Sequence, residues 1–165
     1  MKKLILAGLV SLASMTQVLA AEIEVKMLNS GKEGSMVFEP AVVKAQEGDT
    51  IKFVPTDSGH SVSSVYVPEG TQSWEGEIGK EVTITVNKAG TYVYKCTPHT
   101  VMGMVGLVKV GDDPVSDKAK EAAGELAKTF VMNKDRMEKY LAEADKADES
   151  KEAKKESDKK SADQS

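Results

Sequence analysis

Cysteine is nearly absent from this chain of 165 residues: Cys96 is the only one, so no disulfide can close within the molecule. Histidine is almost as rare, with only His60 and His99. Long apolar runs are missing too. The stretch from Leu4 to Ala13 falls well short of the roughly 20 residues a helix needs to cross a bilayer, which excludes a permanent spanning helix, and no membrane insertion is expected. Positive charge is not concentrated anywhere: the formal net charge is −4, and between residues 21 and 112 eight lysines stand against twelve acidic residues. A nucleic-acid-binding domain would show a basic face, so no nucleic-acid partner is expected. Between residues 21 and 110 there is no helical periodicity, which argues against a parallel α/β sheet.

The chain opens with Lys2 and Lys3, then the short apolar run, then the small-residue exit Val18-Leu19-Ala20. That order reads as a secretory signal peptide over residues 1–20, with the mature protein beginning at Ala21 and the periplasm as destination. The periplasm is oxidising, which makes an unpaired Cys96 a residue in need of a reason: a buried inert thiol, an intermolecular disulfide or a metal ligand. The chain beyond the signal suits one domain of ordinary size, expected to be a monomer.

Short runs with apolar residues at every second position mark half-buried strands. They cover Ile23 to Met27, Ala41 to Lys44, Thr50 to Val54, Val82 to Val86, Thr91 to Lys95 and Val105 to Val110. Turn chemistry separates them at Asn29-Ser30-Gly31, Glu47-Gly48-Asp49, Pro68-Glu69-Gly70 and Asn87-Lys88-Ala89-Gly90. Regularly spaced short strands predict an all-β sandwich or barrel over 21–112. Beyond Gly111 the period becomes helical over 113–145. Asp113-Pro114 offers a cap and first position for a helix with the stripe Ala119, Ala122, Ala123, Leu126, Ala127 and Phe130. Asn133 offers a cap for a second helix, with Met137, Tyr140, Leu141 and Ala144 on one face. Both are expected to pack on the sandwich, since isolated helices of this length are marginal in water. Residues 146–165 hold only small, polar and charged side chains and are expected to be a disordered tail.

Cys96-Thr97-Pro98-His99-Thr100-Val101-Met102-Gly103-Met104 gathers the one thiol, one imidazole and two thioethers within nine positions. Pro98 stiffens the turn between Cys96 and His99. His60 is the remaining imidazole, in the loop Ser58-Gly59-His60-Ser61 after a predicted strand. A thiolate, two imidazoles and a weak thioether are the ligand set of copper electron-transfer centres. Zinc would be one firm ligand short with this set. A Cys–His nucleophilic pair is the enzymatic alternative, but Cys96 has neither an orienting partner nor a glycine-rich oxyanion turn beside it.

The segment Cys-Thr-Pro-His-x-x-Met-Gly-Met-Val-Gly, present as Cys96 to Gly106, resembles the ligand loop of type 1 blue copper proteins. These form the cupredoxin, or plastocyanin/azurin, family, and the likeness is to its pseudoazurin branch. Met36-Val37-Phe38-Glu39-Pro40, Gly48-Asp49-Thr50 and Gly59-His60 support it. The resemblance implies an eight-stranded Greek-key sandwich with two C-terminal helices. It implies one copper ion held by His60, Cys96, His99 and Met104, with His99 edging into solvent. It also implies a one-electron carrier rather than an enzyme, meeting copper nitrite reductase or a c-type cytochrome in transient contacts. An apolar patch of Met36, Pro98, Val101 and Met102 is expected around His99, with Lys32, Lys52, Lys80, Lys95 and Lys109 as candidates for a basic rim. Ser61 departs from the asparagine that commonly follows the first histidine and ties the two ligand loops together, and the charged ending is longer than usual. Copper capture and delivery without electron transfer is the rival function.

Overall fold

The computed structural model describes residues 20–146. The expected signal segment and the expected tail lie outside the described residues, except at Ala20 and Lys146. Among the described residues there are eight strands: β1 (Glu22–Gly31), β2 (Gly34–Glu39), β3 (Val42–Ala45), β4 (Thr50–Val54), β5 (Ser63–Tyr66), β6 (Val82–Thr85), β7 (Gly90–Lys95) and β8 (Val105–Val110). They form two four-stranded sheets, one in the order β2-β1-β4-β6 (sheet A) and the other β3-β8-β7-β5 (sheet B). Most neighbours are antiparallel, but β1 runs parallel to β4 and β3 parallel to β8, because the chain passes between sheets before it returns. This is the Greek-key sandwich that the resemblance implied.

Alternation in the sequence becomes facing in the structure. Val25, Met27, Ile51 and Phe53 of sheet A meet Tyr92, Tyr94, Val108 and Val110 of sheet B in one core. Its centre is aromatic: Tyr94 meets Phe38 edge-on at 4.9 Å and Phe53 at 5.0 Å, contacts worth about 0.5–1.5 kcal/mol each beyond the area they bury. The Tyr94 hydroxyl donates to the Ala41 carbonyl at 3.3 Å. Gly106 is required beneath this ring, since a Cβ there would lie 2.4 Å from the ring and 2.7 Å from the Ala41 carbonyl.

Helix α1 (Asp117–Ala127) and a second helix, α2, over 136–146 cover the outer face of sheet B. Ala119, Ala123, Leu126, Phe130, Met137, Tyr140 and Ala144 pack there with Val93, Val105 and Leu107. Among the described residues no helix is long and apolar enough to cross a membrane.

Several local expectations are corrected. Strands β2 and β5 add to the six read from alternation. Asn29-Ser30-Gly31 is not a turn but the end of β1; the chain reverses at Lys32-Glu33 instead. Ser116, not Asp113, caps α1 by accepting the Ala119 N–H at 3.3 Å. The reason is Val115, which is 3% exposed among the helix residues and keeps the chain extended until after it has been buried. Asn133 lies three residues before α2 in the left-handed region, φ 50°, and its side-chain amide is used elsewhere.

Candidate metal centre

Two connections meet at one pole of the sandwich. His60 lies in the connection from β4 to β5, where the Gly79 N–H donates to its carbonyl at 2.8 Å. Cys96 comes directly after the last residue of β7. His99 leads into a single 3₁₀ turn (Thr100–Met102), and Met104 immediately precedes β8. Backbone bonds close this downstream loop on itself: Cys96 N–H donates to the Met104 carbonyl at 2.9 Å, and Met104 N–H to the His99 carbonyl at 3.3 Å. The Thr100 hydroxyl donates to the Cys96 carbonyl at 2.9 Å. Gly103, at φ 72°, ends the turn in a conformation natural to glycine.

The upstream imidazole is oriented from strand β1. Asp57 joins the strand by donating its N–H to the Met27 carbonyl at 3.1 Å and accepting the Asn29 N–H on its carboxylate at 2.7 Å. Asn29 Oδ1 then lies 3.0 Å from His60 Nε2 and accepts its proton. That bond leaves His60 Nδ1 as the free lone pair, aimed at the pole. His60 Nδ1 stands 3.2 Å from His99 Nδ1 and 3.8 Å from Cys96 Sγ, and His99 Nδ1 stands 3.4 Å from the same sulfur.

This triangle fits a metal ion. The point equidistant from its three corners is about 2.0 Å from each, the length of a metal–imidazole bond and slightly less than that of a metal–thiolate bond. Met104 is fully buried in the same core cluster as Cys96, whereas Met102 is half-buried at the surface. His60 and Cys96 are fully buried, and His99 is partly exposed. The structure thus brings His60, Cys96 and His99 together at one point and buries Met104 in the core cluster that also holds Cys96.

Electrostatics favour neutral donors until a cation arrives. Burial, then the neighbouring His99 imidazole, holds His60 below its ordinary value of 6.5, against a pull upward from Asp57. Burial also pushes the Cys96 thiol above 9.0, opposed by the backbone N–H groups of Ser61 and His99. The first of these, 3.5 Å from Sγ, stabilises the thiolate when it forms. Metal uptake here must therefore expel the thiol proton.

Ser61 links the two ligand loops through its N–H to the Cys96 sulfur, but its side chain adds nothing: the buried hydroxyl has no partner among the described residues. A side-chain link lies two residues on, where the Ser63 and Thr97 hydroxyls are 3.3 Å apart. Near His99 several apolar side chains reach the surface, with Glu75 and Glu77 beside them. Val101 is 49% exposed and Met132 48%, and Ile78 lines a cavity with Pro98 and Thr97. Two of the five lysine candidates for a basic rim are engaged elsewhere. Lys109 is 1% exposed and sits one residue before the far end of β8, and Lys52 is mid-strand and paired with Glu81 at 3.3 Å. Sequence reading missed Asn29, Ser63, Asn133 and Arg136, all ordinary polar residues whose roles come from partners about 30 to 100 positions away.

The model of copper binding proteins of the plastocyanin/azurin family matches residues 25–111. A pseudoazurin of Paracoccus pantotrophus is 49% identical over 127 residues, covering 75% of this chain and 84% of that protein. A pseudoazurin of Methylorubrum extorquens is 46% identical over 115 residues, covering 67% and 78%. Among solved structures, pseudoazurin from Methylobacterium extorquens AM1 superposes with a TM-score of 0.63 at 40% identity over 74% of this chain and 98% of that one. The pseudoazurin from Hyphomicrobium denitrificans gives 0.60 at 39% identity, covering 74% and 97%. A donor triangle of copper-ligand type and these likenesses agree: the chain belongs to the plastocyanin/azurin family of copper-binding proteins, with copper as its cofactor, and within that family it is similar to the pseudoazurins.

Proposed function

We propose that this protein is a one-electron carrier whose copper would be held by His60 Nδ1, Cys96 Sγ and His99 Nδ1, with the Met104 thioether as a fourth, weaker donor. Copper, when bound, supplies a single electron by passing between Cu(I) and Cu(II). Everything else is done by the chain. His60 is locked by Asn29, Cys96 by β7 and the Ser61 N–H, and Met104 by its backbone bonds to Cys96 and His99. Such fixed donors leave little to rearrange between oxidation states. The partly exposed ring of His99, within a rim of Pro98, Val101, Met102, Met132 and Ile78, is the route for the electron. A small apolar contact of this kind separates readily, as transient redox encounters burying under about 1,200 Å² do. Copper nitrite reductase and a c-type cytochrome in the periplasm are the partners and setting that the resemblance supplies.

The observation that carries this reading is the convergence of three donors, two of them fully buried and the third, His99, an imidazole with access to solvent. Addition of Cu(II) to the purified protein should bind one ion and give an intense blue to green colour that a reductant bleaches and an oxidant restores. Cys96→Ser should abolish the colour. Met104→Leu should change spectrum and potential more than Met102→Leu, and the reverse order would exchange their roles. A copper complex that stays colourless, or that gives up its ion to a competing chelator as fast as it is mixed, would favour delivery over electron transfer.

A further inference from the structure

Arg136 is the only arginine in the chain and is 5% exposed. Its Nη1 donates to the carbonyls of Met36, at 2.8 Å, and Gly103, at 3.0 Å. Its Nη2 donates to the carbonyls of Ser35, at 3.0 Å, and Glu33, at 3.3 Å. A planar fork of this kind can satisfy several carbonyls at fixed angles, which an ammonium cannot. The same segment holds the turn before Met104 at two further points. Asn133 Nδ2 donates to the Met102 carbonyl at 2.8 Å, and the N–H groups of Val131 and Met132 donate to the Val101 carbonyl at 2.7 and 3.2 Å. Three successive carbonyls, those of Val101, Met102 and Gly103, are therefore all bound by residues 131–136, and the next residue is Met104. The only non-glycine residues with positive φ among those described, Met36 and Asn133, both belong to this network. Such outliers persist where surrounding structure over-determines them.

We propose that Arg136, with Asn133, is a positioning residue for the copper centre: the C-terminal segment sets the depth of the Met104 thioether by fixing the carbonyls of the turn before it. This rests on Met104 being a copper ligand. Asn133→Gly is the clean variant, because glycine is at ease at φ 50° and only the side-chain bond is lost. Arg136→Lys keeps the charge but not the fork. Leu126→Ala, in α1, serves as a control that loosens the same layer away from the turn.

The expected result is that Asn133→Gly and Arg136→Lys shift both the intensity ratio of the charge-transfer bands and the reduction potential, while Leu126→Ala lowers the melting temperature and moves neither. In the metal-free protein the Gly103 and Met104 amides should exchange about tenfold faster in Asn133→Gly, as one lost hydrogen bond implies. In a Met104→Leu background the spectral effect of both variants should vanish. The proposal is overturned if Asn133→Gly leaves band ratio, potential and amide exchange like those of the control, or if its spectral effect survives in Met104→Leu. Should Arg136→Lys not fold, Asn133→Gly decides alone. A parent protein that stays colourless with copper would defeat the ligand reading itself, which the exchange measurement does not depend on.

Discussion

The two sheets have the same number of strands and opposite surroundings. In β1 of sheet A burial alternates, with Val25 and Met27 inward and Glu24 and Lys26 exposed, the pattern of a sheet with one face in water. In β8 of sheet B every residue is buried, and in β7 all but the two ends are. Sheet A is thus an outer wall, while sheet B is a middle layer between the aromatic core and the two helices. Cys96, His99 and Met104 come from the connection between the two central strands of sheet B, and His60 from the crossing between the sheets. A site hung on the layer that is packed on both sides inherits its rigidity.

The sharpest break of this contrast is a charge on each outer face. Val93 is fully buried under the helices, so Val93→Asp should cost more than about 4 kcal/mol and leave little folded protein. Glu24→Lys reverses a charge on the outer face of sheet A, where the side chain is exposed, and should change stability by no more than about 0.5 kcal/mol. Urea titration of the two variants checks the pair, and comparable losses would mean that sheet A is covered as well. Next in size is Phe130→Ala, which removes an aromatic ring 3% exposed between sheet B and the helices. About 3–5 kcal/mol is expected, read as a lower denaturation midpoint at unchanged slope.

The same contrast explains what could be read from the residues alone. Strands β1, β4 and β6 of sheet A announce themselves by alternation because one face is wet. Strands β7 and β8 have no polar face, yet Tyr92-Val93-Tyr94 and the valines from Val105 to Val110 are branched and aromatic enough to mark them. Strand β2 escaped because Met36 takes a left-handed conformation and Val37 and Phe38 are buried side by side, which breaks the period. Strand β5 escaped because Ser63-Ser64 precede a bulge and offer no apolar repeat. The donors were legible since thiol and imidazole are so scarce here. Their supports were not, because an asparagine such as Asn29 reads as a turn until the fold shows what lies 3.0 Å from its oxygen.

A smaller effect should appear at the pole where the sheets meet, in the metal-free protein. His60 is held below 6.5 in the folded state, so as pH falls through 6.5 the unfolded chain takes up a proton that the folded chain refuses, and stability falls. Cys96 is held above 9.0, so as pH rises through 9.0 the unfolded chain releases a proton that the folded chain keeps, and stability falls again. Melting of the metal-free protein should therefore peak between those two values. His60→Gln should remove the acid limb and Cys96→Ser the alkaline one. A flat profile, or limbs unmoved by these substitutions, would mean that other groups govern the pole.

The smallest effect belongs to the outer face of sheet A. Lys52 in β4 lies opposite Thr83, and its ammonium reaches Glu81 at 3.3 Å, with the two side chains 31% and 47% exposed. Water screens such a pair and both long side chains lose freedom to form it, so a double-mutant cycle of Lys52→Ala and Glu81→Ala should give a coupling of about 0.5 kcal/mol or less, shrinking as salt is added. A coupling well above about 1 kcal/mol that ignores salt would require both charges to be shielded from water. In that case something covers sheet A in solution as the helices cover sheet B, and the outer wall would be a second interior.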